Sequence, residues 1–222
     1  MAKADFALIF DWDGVIINSE EFHRRSWDLL IEEEGLVLPE GAFETSFGMR
    51  NEQIIPHVFK WAEPDDPDRI QFLADRKEGL YRELVRREGI DPLQGVLALL
   101  EGLEAAGVPR AVGSSTPRAN IDAVMEVIGV TGKFQDIVAA ADVSKGKPDP
   151  EVFLTAAERL GFTPDRCVVI EDAHVGIAAA QAGGIKVLAV ATTHPIESLS
   201  EADAAHTDLT TVTVDVLRGL VG

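Results

Sequence analysis

Short runs of apolar residues alternate along much of the chain with longer stretches in which apolar residues recur at helical spacing. A short apolar run is typical of a strand buried on both faces, as in a parallel sheet. The predicted strands are 6–10, 109–113, 136–140, 167–170 and 186–190, and the predicted helices between them are 93–106, 118–128, 151–160 and 175–182. Strands that alternate with helices join by right-handed crossovers. The pattern therefore predicts an α/β fold with a Rossmann-like, doubly wound parallel sheet.

Residues 18–91 interrupt this alternation, because they contain no convincing strand pattern. Helical patterns instead cover residues 19–34, 51–61 and 68–87, with glycines and prolines between them. We therefore expect an α/β core made of residues 1–17 and 92–222, with a helical domain of residues 18–91 inserted after the first strand. In the third of these helices basic residues alternate with acids, which is typical of a solvated face; they include Arg69, Arg76, Lys77, Arg82, Arg86 and Arg87.

Two acidic residues follow the first predicted strand. Asp11 and Asp13 are separated by one residue and precede Gly14. Ligands of open α/β sheets bind beyond the carboxyl ends of the strands. Two carboxylates there are costly unless a cation lies between them or one of them is a reactive group. Taken alone, the pair is equally compatible with aspartates that cap a turn or a helix.

Three hydroxyl residues, Ser114, Ser115 and Thr116, follow the second predicted strand. Hydroxyls at this position can donate hydrogen bonds to a phosphoryl oxygen. The alternative is a helix N-cap, since Ser or Thr before Pro117 suits a helix start. The two interpretations are balanced for Ser114, and the N-cap is favoured for Thr116.

A lysine and two further acids belong to the same predicted edge of the sheet. Lys147 lies in a loop that Pro148 and Pro150 stiffen, and Glu171 and Asp172 follow the fourth strand. Hard cations such as Mg²⁺ take carboxylate oxygens as ligands. Each feature has a simple alternative, a solvated lysine or a capping aspartate, but their convergence on one edge favours a functional site.

With these residues in this order, the sequence resembles the haloacid dehalogenase-like superfamily of phosphatases and phosphomutases. The matching segments are Phe10-Asp11-Trp12-Asp13-Gly14, Ser114, Gly146-Lys147-Pro148-Asp149-Pro150 and Glu171-Asp172-Ala173-His174-Val175-Gly176. The helical insertion resembles the α-helical cap of the branch that contains β-phosphoglucomutase and phosphoglycolate phosphatase. Three positions depart from the pattern: Asn18 replaces a common Asp, Trp12 is bulkier than the usual aliphatic residue, and His174 replaces a small or polar residue.

The resemblance implies a role for each catalytic candidate. Asp11 would attack phosphorus and form an aspartyl-phosphate. Asp13 would protonate the leaving oxygen and then take a proton from the hydrolytic water. Ser114 and Lys147 would bind the phosphoryl oxygens and offset their charge in the transition state.

The resemblance also implies a Mg²⁺ site. Its ligands would be Asp11, Asp172 and the backbone carbonyl of Asp13, with Glu171 supporting the site. The charge of the chain makes such a cation useful, since 38 acidic residues against 20 Lys and Arg give a formal net charge of -18. This charge argues against nucleic acid or an anionic membrane as a partner, and a phosphate site then needs its own positive charge.

Candidate substrate contacts lie mostly in the helical insertion. A His followed four residues later by a Trp, here His23 and Trp27, resembles the mutase branch, as does the Arg-Lys pair that contains Lys77. Gly48-Met49-Arg50 resembles the cap loop that determines specificity, so Arg50 is a further candidate. In the core, Ser115 is the remaining substrate-binding candidate.

Three functions follow from this pattern. The favoured one is a Mg²⁺-dependent phosphatase that hydrolyses a small phosphorylated metabolite, such as a sugar phosphate. A sugar phosphomutase of the β-phosphoglucomutase type is the alternative, because the two activities share the same core residues. A non-catalytic binding protein on the same scaffold is the third, but the retention of Asp11 and Asp13 speaks against it.

The remaining expectations concern the state of the protein. The single cysteine, Cys167, lies in an apolar run and is expected to be a buried hydrophobe rather than a reactive thiol. No stretch is apolar enough to span a membrane, and the N-terminal residues do not resemble a signal peptide. We therefore expect a cytoplasmic protein, and a monomer.

Overall fold

The computed structural model describes residues 4–46 and 49–222. Its residue contacts divide the chain into two units. The first, here called the α/β unit, comprises the chain up to Asn18 and from Ile90 onwards. The second, the helical unit, comprises Ser19–Gly89.

The α/β unit is built on a parallel sheet, in which the described residues form six strands. The strands are β1 (Ala7–Phe10), β2 (Arg110–Gly113), β3 (Asp136–Val138), β4 (Cys167–Glu171), β5 (Lys186–Val190) and β6 (Ala204–His206). Their order in the sheet is β3-β2-β1-β4-β5-β6, so β1 lies between β2 and β4. The order runs outward from β1 in both directions, which is the doubly wound arrangement that the sequence predicts.

Helices follow the strands and cover the sheet. They are α5 (Val96–Ala105), α6 (Arg118–Val127), α7 (Glu151–Leu160), α8 (His174–Ala182) and α9 (Val214–Val221), numbered after the four helices of the other unit. All four residues of β1 are buried, and Phe153 of α7 and Ile177 of α8 pack into the same core as Ile9. The strands consist of apolar residues because helices cover the sheet and bury them.

Two elements at the C-terminal end of the chain lie outside the sequence predictions. β6 pairs with β5 through Leu188 and Ala204, and α9 begins after Thr213, whose side chain accepts a hydrogen bond from the Val216 amide. β6 is short and only partly buried, so no apolar run reveals it. The start of α9 was detectable, because a threonine N-cap precedes an apolar helical pattern.

The helical unit contains α1 (Glu20–Glu34), α2 (Ala42–Ser46), α3 (Asn51–Gln53), a π-helical turn (Ile54–Phe59) and α4 (Pro67–Glu88). Its core is apolar and aromatic, and includes Trp27, Leu30 and Phe59. The helix predicted for 51–61 is instead split, with Pro56 inside the π-helical turn. Proline has no backbone N–H and clashes with the preceding turn, which explains why an α-helix does not continue there.

Candidate active site

Parallel pairing brings the predicted strand ends to one edge of the sheet. The Asp11 amide donates to the Ile170 carbonyl of β4 at 2.9 Å, and the Ser114 amide donates to the Val138 carbonyl of β3 at 2.9 Å. These hydrogen bonds continue the ladders one residue past β1 and β2. Asp11, Ser114 and Asp172 are all buried. Residues from three separate parts of the chain are therefore held at the carboxyl edge of adjacent strands.

Lys147 connects two of the acids at this edge. Its Nζ lies 2.7 Å from Asp11 Oδ1 and 2.7 Å from Glu171 Oε1, and its side chain is almost completely buried. Burial alone would lower the pKa of Lys147, but the two carboxylates raise it above its ordinary value. The lysine is therefore a permanent positive charge at this edge.

The Glu171 carboxylate is held from several sides. Its Oε1 accepts from Lys147, and its Oε2 accepts from the backbone amides of Asp172 and Ala173, both at 2.7 Å. A Cβ at Gly176 would overlap this carboxylate, so the absence of a side chain at Gly176 creates the space for Glu171. The structure thus positions Lys147 through an acid that is itself fixed by backbone amides.

Asp172 is buried close to Gly14, in the loop that follows β1. Gly14 has a φ of 78°, and a Cβ there would overlap the Asp172 carboxylate. The hydroxyl of Thr193 donates to Asp172 Oδ2. Helix α8 has Ala173 as its N-cap residue and no side-chain cap, so the alternative in which Asp172 caps a helix is wrong.

The three acids carry more negative charge than Lys147 can balance. Ligand oxygens of Asp11, Glu171 and Asp172 lie within 4.8 Å of one another. Burial raises the pKa of Asp11 to about 7, with Lys147 opposing the shift and Glu171 adding to it. Burial, followed by repulsion from Glu171 and Asp11, raises the pKa of Asp172 to about 8. An all-oxygen donor set with uncompensated negative charge fits a hard divalent cation such as Mg²⁺.

The hydroxyl residues after β2 have different surroundings. The Ser114 hydroxyl accepts from the Thr116 amide at 3.1 Å, and Ser115 is exposed. The Thr116 hydroxyl donates to Asp13 Oδ2. The N-cap residue of α6 is Pro117, with no side-chain cap, so the N-cap interpretation favoured for Thr116 is wrong. Thr116 instead contacts a catalytic candidate, which sequence reasoning missed.

The helical unit gathers two of its candidates into a buried polar cluster. Lys77 Nζ lies 2.7 Å from His23 Nδ1 and 2.9 Å from Glu78 Oε1, and the His23 ring stacks on Tyr81. The side-chain amide of Asn51 donates to Glu78 Oε1 at 2.7 Å. Lys77 is only 3% exposed, so the predicted solvated face of this helix is wrong at Lys77. Lys77 lies on the face of α4 that packs on α1. The charged neighbours of Lys77 in the sequence conceal that this face is covered.

Burial would raise the pKa of Glu78, but Lys77, His23 and the Asn51 hydrogen bond together lower it to about 2. Glu78 is therefore ionised in the folded protein at neutral pH. By contrast, Arg76 meets the prediction of a surface residue: it is partly exposed and pairs with Glu33 and Glu83.

The other candidates of the helical unit lie apart from this cluster or beneath it. Trp27 is 3% exposed and contacts Phe59 and Trp61 edge to face, and Lys77 Nζ lies 5.1 Å from its ring centroid. These contacts place Trp27 in the core of the helical unit. Arg50 is exposed and precedes α3. Gly48, part of the proposed specificity loop, lies outside the described residues.

The fold and the strand-end residues agree with the comparison to known families. A sequence model of the haloacid dehalogenase-like hydrolases matches residues 7–184. The chain belongs to this family, and it is an enzyme of the hydrolase type. The family assignment made from the four motifs is confirmed.

Several curated relatives are phosphatases by name. The chain is 37% identical over 198 residues to the chloroplastic 5-amino-6-(5-phospho-D-ribitylamino)uracil phosphatase of Arabidopsis thaliana, a match that covers 88% of this chain and 52% of the relative. It is 33% identical over 205 residues to the validoxylamine A 7'-phosphate phosphatase of Streptomyces hygroscopicus subsp. limoneus, covering 92% and 94%. The chain thus spans about half the length of the Arabidopsis relative. A β-phosphoglucomutase is also among the relatives.

A solved structure, CbbY of Rhodobacter sphaeroides in complex with phosphate, shares the fold. Its TM-score is 0.87 at 22% identity, and the match covers 97% of this chain and 100% of that one. The α/β class predicted from the alternating pattern is therefore confirmed.

Two smaller predictions can be compared with the structure. Cys167 is buried, and burial raises the pKa of its thiol to about 12, as expected of a hydrophobic rather than a reactive cysteine. Within the two described ranges, none of the helices combines the length and the apolar character needed to cross a bilayer.

Proposed function

We propose that the chain is a Mg²⁺-dependent phosphatase that hydrolyses a small phosphorylated metabolite, a sugar phosphate or a similar phosphomonoester, through an aspartyl-phosphate on Asp11. The observation that carries this proposal is the position of Lys147, whose Nζ lies 2.7 Å from both Asp11 and Glu171. A buried acid beside a fixed cation is the arrangement that an anionic, reacting phosphoryl group requires.

Asp11 is the proposed nucleophile. Its Oδ1 contacts Lys147, so the carboxylate is oriented before substrate arrives. Attack on phosphorus forms the bond from the carboxylate oxygen to phosphorus and breaks the bond to the leaving alcohol. Lys147 and the Ser114 hydroxyl are suited to hold the equatorial oxygens, since they are the buried cation and the buried hydroxyl at this strand edge.

Asp13 is the proposed acid and base. It is half-buried, and Thr116 donates a hydrogen bond to one of its carboxylate oxygens. This contact fixes the direction of the other carboxylate oxygen, Asp13 Oδ1. A proton on Oδ1 can then pass to the leaving alcohol. The same carboxylate afterwards accepts a proton from the water that hydrolyses the aspartyl-phosphate.

The cation is proposed to bind Asp11 and Asp172, together with the backbone carbonyl of Asp13, and Glu171 supports the site. Bound Mg²⁺ would neutralise the charge of these acids and of the incoming phosphate. Burial of Asp11, Glu171 and Asp172 within 4.8 Å supports this assignment, because the single charge of Lys147 leaves the cluster negative.

The test is the Asp11→Asn variant. With a panel of phosphorylated metabolites and Mg²⁺, the wild type should release phosphate and incorporate label from a ³²P-labelled substrate, whereas Asp11→Asn should do neither. Asp165→Asn, at an exposed turn, is the matched control and should behave as wild type. Phosphate release by Asp11→Asn at the wild-type rate would refute the mechanism, and full activity after exhaustive chelation would refute the cofactor.

A phosphomutase of the β-phosphoglucomutase type is the second candidate. Two observations favour it: the His23–Lys77 contact in the helical unit and the β-phosphoglucomutase of Bacillus subtilis, which is 31% identical over 194 residues. The two functions separate when β-glucose 1-phosphate is supplied with a trace of the bisphosphate. Glucose 6-phosphate without free phosphate would support the mutase, and rapid phosphate release would support the phosphatase.

His23, Trp27, Arg50, Lys77 and Ser115 remain proposed substrate contacts. Alanine variants of the exposed members, Arg50 and Ser115, should raise KM for the best substrate and leave folding unchanged, since neither side chain is buried. We also propose a cytoplasmic monomer without a nucleic-acid partner. Light scattering at enzyme concentrations used in assays would test the monomer.

A further inference from the structure

We propose that His174 and His194 form a second metal site in the α/β unit, one that takes a transition-metal ion such as Zn²⁺ and is distinct from the carboxylate cluster. The two imidazole rings lie with their centroids 4.7 Å apart and their planes at 48°. His174 is exposed and His194 is partly exposed, so an ion can reach the pair from solvent.

The backbone fixes where both rings originate. His174 is the first residue of α8, and its N-cap residue Ala173 is held by the hydrogen bond from its amide to Glu171. His194 precedes Pro195, which restricts the backbone of the preceding residue to extended conformations. The neighbouring Thr193 is in turn bonded to Asp172. Both histidines are thus attached to ordered parts of the structure, which keeps the two rings close together.

The distance suits one shared ion. Zn–N bonds are about 2.0–2.1 Å long, so two ligands at a tetrahedral ion have nitrogens roughly 3.3 Å apart. Ring nitrogens lie on the rims of the rings, so side-chain rotations can bring one nitrogen of each ring to that separation from centroids 4.7 Å apart. Water molecules would complete the coordination.

The ligand chemistry separates this pair from the acidic cluster. Imidazole nitrogen is a borderline ligand that favours Zn²⁺, Cu²⁺ and Ni²⁺, whereas carboxylate oxygens favour Mg²⁺. Asp11, Glu171 and Asp172 offer only oxygen, and His174 and His194 offer only nitrogen. The positive end of the α8 dipole opposes a cation, but the formal net charge of -18 acts in the other direction.

Zn²⁺ titration of the tag-free chain by calorimetry tests the proposal, in the presence of excess Mg²⁺ to occupy the carboxylate cluster. The wild type should bind one equivalent of Zn²⁺. Loss of a residue that merely supports a ligand already costs about 10–100-fold in metal affinity. Removal of one of two ligands, in His174→Phe or in His194→Phe, should therefore weaken binding by at least about 10-fold.

Phenylalanine is chosen because it preserves the contact between rings and removes the nitrogens, so the variants separate ligation from simple stacking. His57→Ala, which removes an exposed histidine from the helical unit, is the control and should bind Zn²⁺ as wild type. Electron paramagnetic resonance with Cu²⁺ in place of Zn²⁺ should show two imidazole nitrogens in the wild type and one in each Phe variant.

Three results would overturn the proposal: no Zn²⁺ binding when Mg²⁺ is in excess, unchanged affinity in both Phe variants, or an equal loss in His57→Ala. The readouts are binding and spectroscopy, so they do not depend on catalytic turnover. If the proposed phosphatase function is refuted, the proposed histidine metal site is unaffected. If the metal site is refuted, the proposed phosphatase function is unaffected.

Discussion

The Thr116 hydroxyl donates a hydrogen bond to the Asp13 carboxylate across 103 residues of sequence. Asp13 follows β1 and Thr116 follows β2, and the two strands are neighbours in the sheet. A carboxylate with one oxygen held in this way presents the other in a defined direction. Thr116 is therefore a positioning residue for the proposed acid and base.

Thr116→Val should lower kcat by about 10-fold or more while changing KM little, because general acid–base catalysis contributes about 10²–10⁴-fold and depends on placement. The loss should be larger for an alkyl phosphate than for p-nitrophenyl phosphate, whose leaving group needs little protonation. Steady-state kinetics with both substrates measure it. Thr116→Ser, which keeps the hydroxyl, should recover most of the activity, and equal losses with both substrates would argue for a merely structural role.

Asp172→Asn should separate stability from metal binding. Folding raises the pKa of Asp172 to about 8, so its ionisation costs folded-state stability progressively as pH rises from about 4 towards 8. Without metal at pH 7, the variant should therefore unfold at higher urea than wild type, by about 1–3 kcal/mol in free energy of unfolding.

Mg²⁺ should stabilise wild type much more than the variant. A ligand at 100 times its Kd stabilises the folded state by about 2.7 kcal/mol, and the variant should lose most of that gain. Urea unfolding with and without Mg²⁺ measures both effects. A variant that is less stable than wild type without metal would contradict the raised pKa of Asp172. A variant that gains as much stability from Mg²⁺ as wild type would contradict the assignment of Asp172 as a ligand.

Gly176→Ala should disrupt the support of Lys147. The new Cβ would overlap the Glu171 carboxylate, which must then leave its contacts with Lys147 and two backbone amides. Since breaking a buried ion pair costs about 3–5 kcal/mol, both turnover and the free energy of unfolding should fall.

Gly219→Ala in α9 is the matched control, because a Cβ there meets open space. This variant should keep full activity and gain about 0.4–1 kcal/mol, the usual effect of alanine in a helix. Phosphate release and thermal unfolding of the two variants provide the comparison. Unchanged activity in Gly176→Ala would show that Glu171 does not need its observed position.

Glu78→Gln should destabilise the helical unit in a pH-dependent way. Folding lowers the pKa of Glu78 to about 2, so its contribution to stability is present above the ordinary value near 4.5 and is lost as pH falls towards 2. At pH 7 the variant should be about 2–4 kcal/mol less stable, because Lys77 loses its buried partner.

The difference between wild type and Glu78→Gln should shrink as pH falls from about 4.5 towards 2, because Glu78 is protonated first in the unfolded chain and only near pH 2 in the folded one. Urea unfolding followed by the fluorescence of Trp27 and Trp61, both in the helical unit, measures it. Glu83→Gln is the control, since Glu83 is an exposed partner of Arg76 and its removal should cost under about 1 kcal/mol at any pH. A difference that stays constant with pH would exclude the ion pair as its cause.

The α/β class and most elements of the fold could be predicted because their signals are local. Five of the strands appear as apolar runs, since helices bury most of their residues. Asp11, Lys147 and Asp172 could be named as candidates because they follow strands or lie in a stiff loop in a recognisable order. β6 escaped prediction because a short, partly buried edge strand carries no apolar run.

The contacts of Thr116, Thr193 and Lys77 could not be predicted in the same way. Thr116 and Thr193 have ordinary sequence surroundings, and each finds its carboxylate only after parallel pairing has set the strand ends side by side. Lys77 looks like a surface residue among charged neighbours, yet packing of α4 on α1 buries it against His23 and Glu78.

The sequence by itself determined the strand-helix alternation, the family motifs and the chemical types available to the site, because periodicity and strand-end residues are properties of short segments. Only the tertiary structure decided which hydroxyl holds which acid, that Glu171 is fixed by backbone amides over Gly176, and that His174 meets His194. The physical reason is that these contacts join distant parts of the chain at distances of a few ångströms, which sheet register and side-chain packing set.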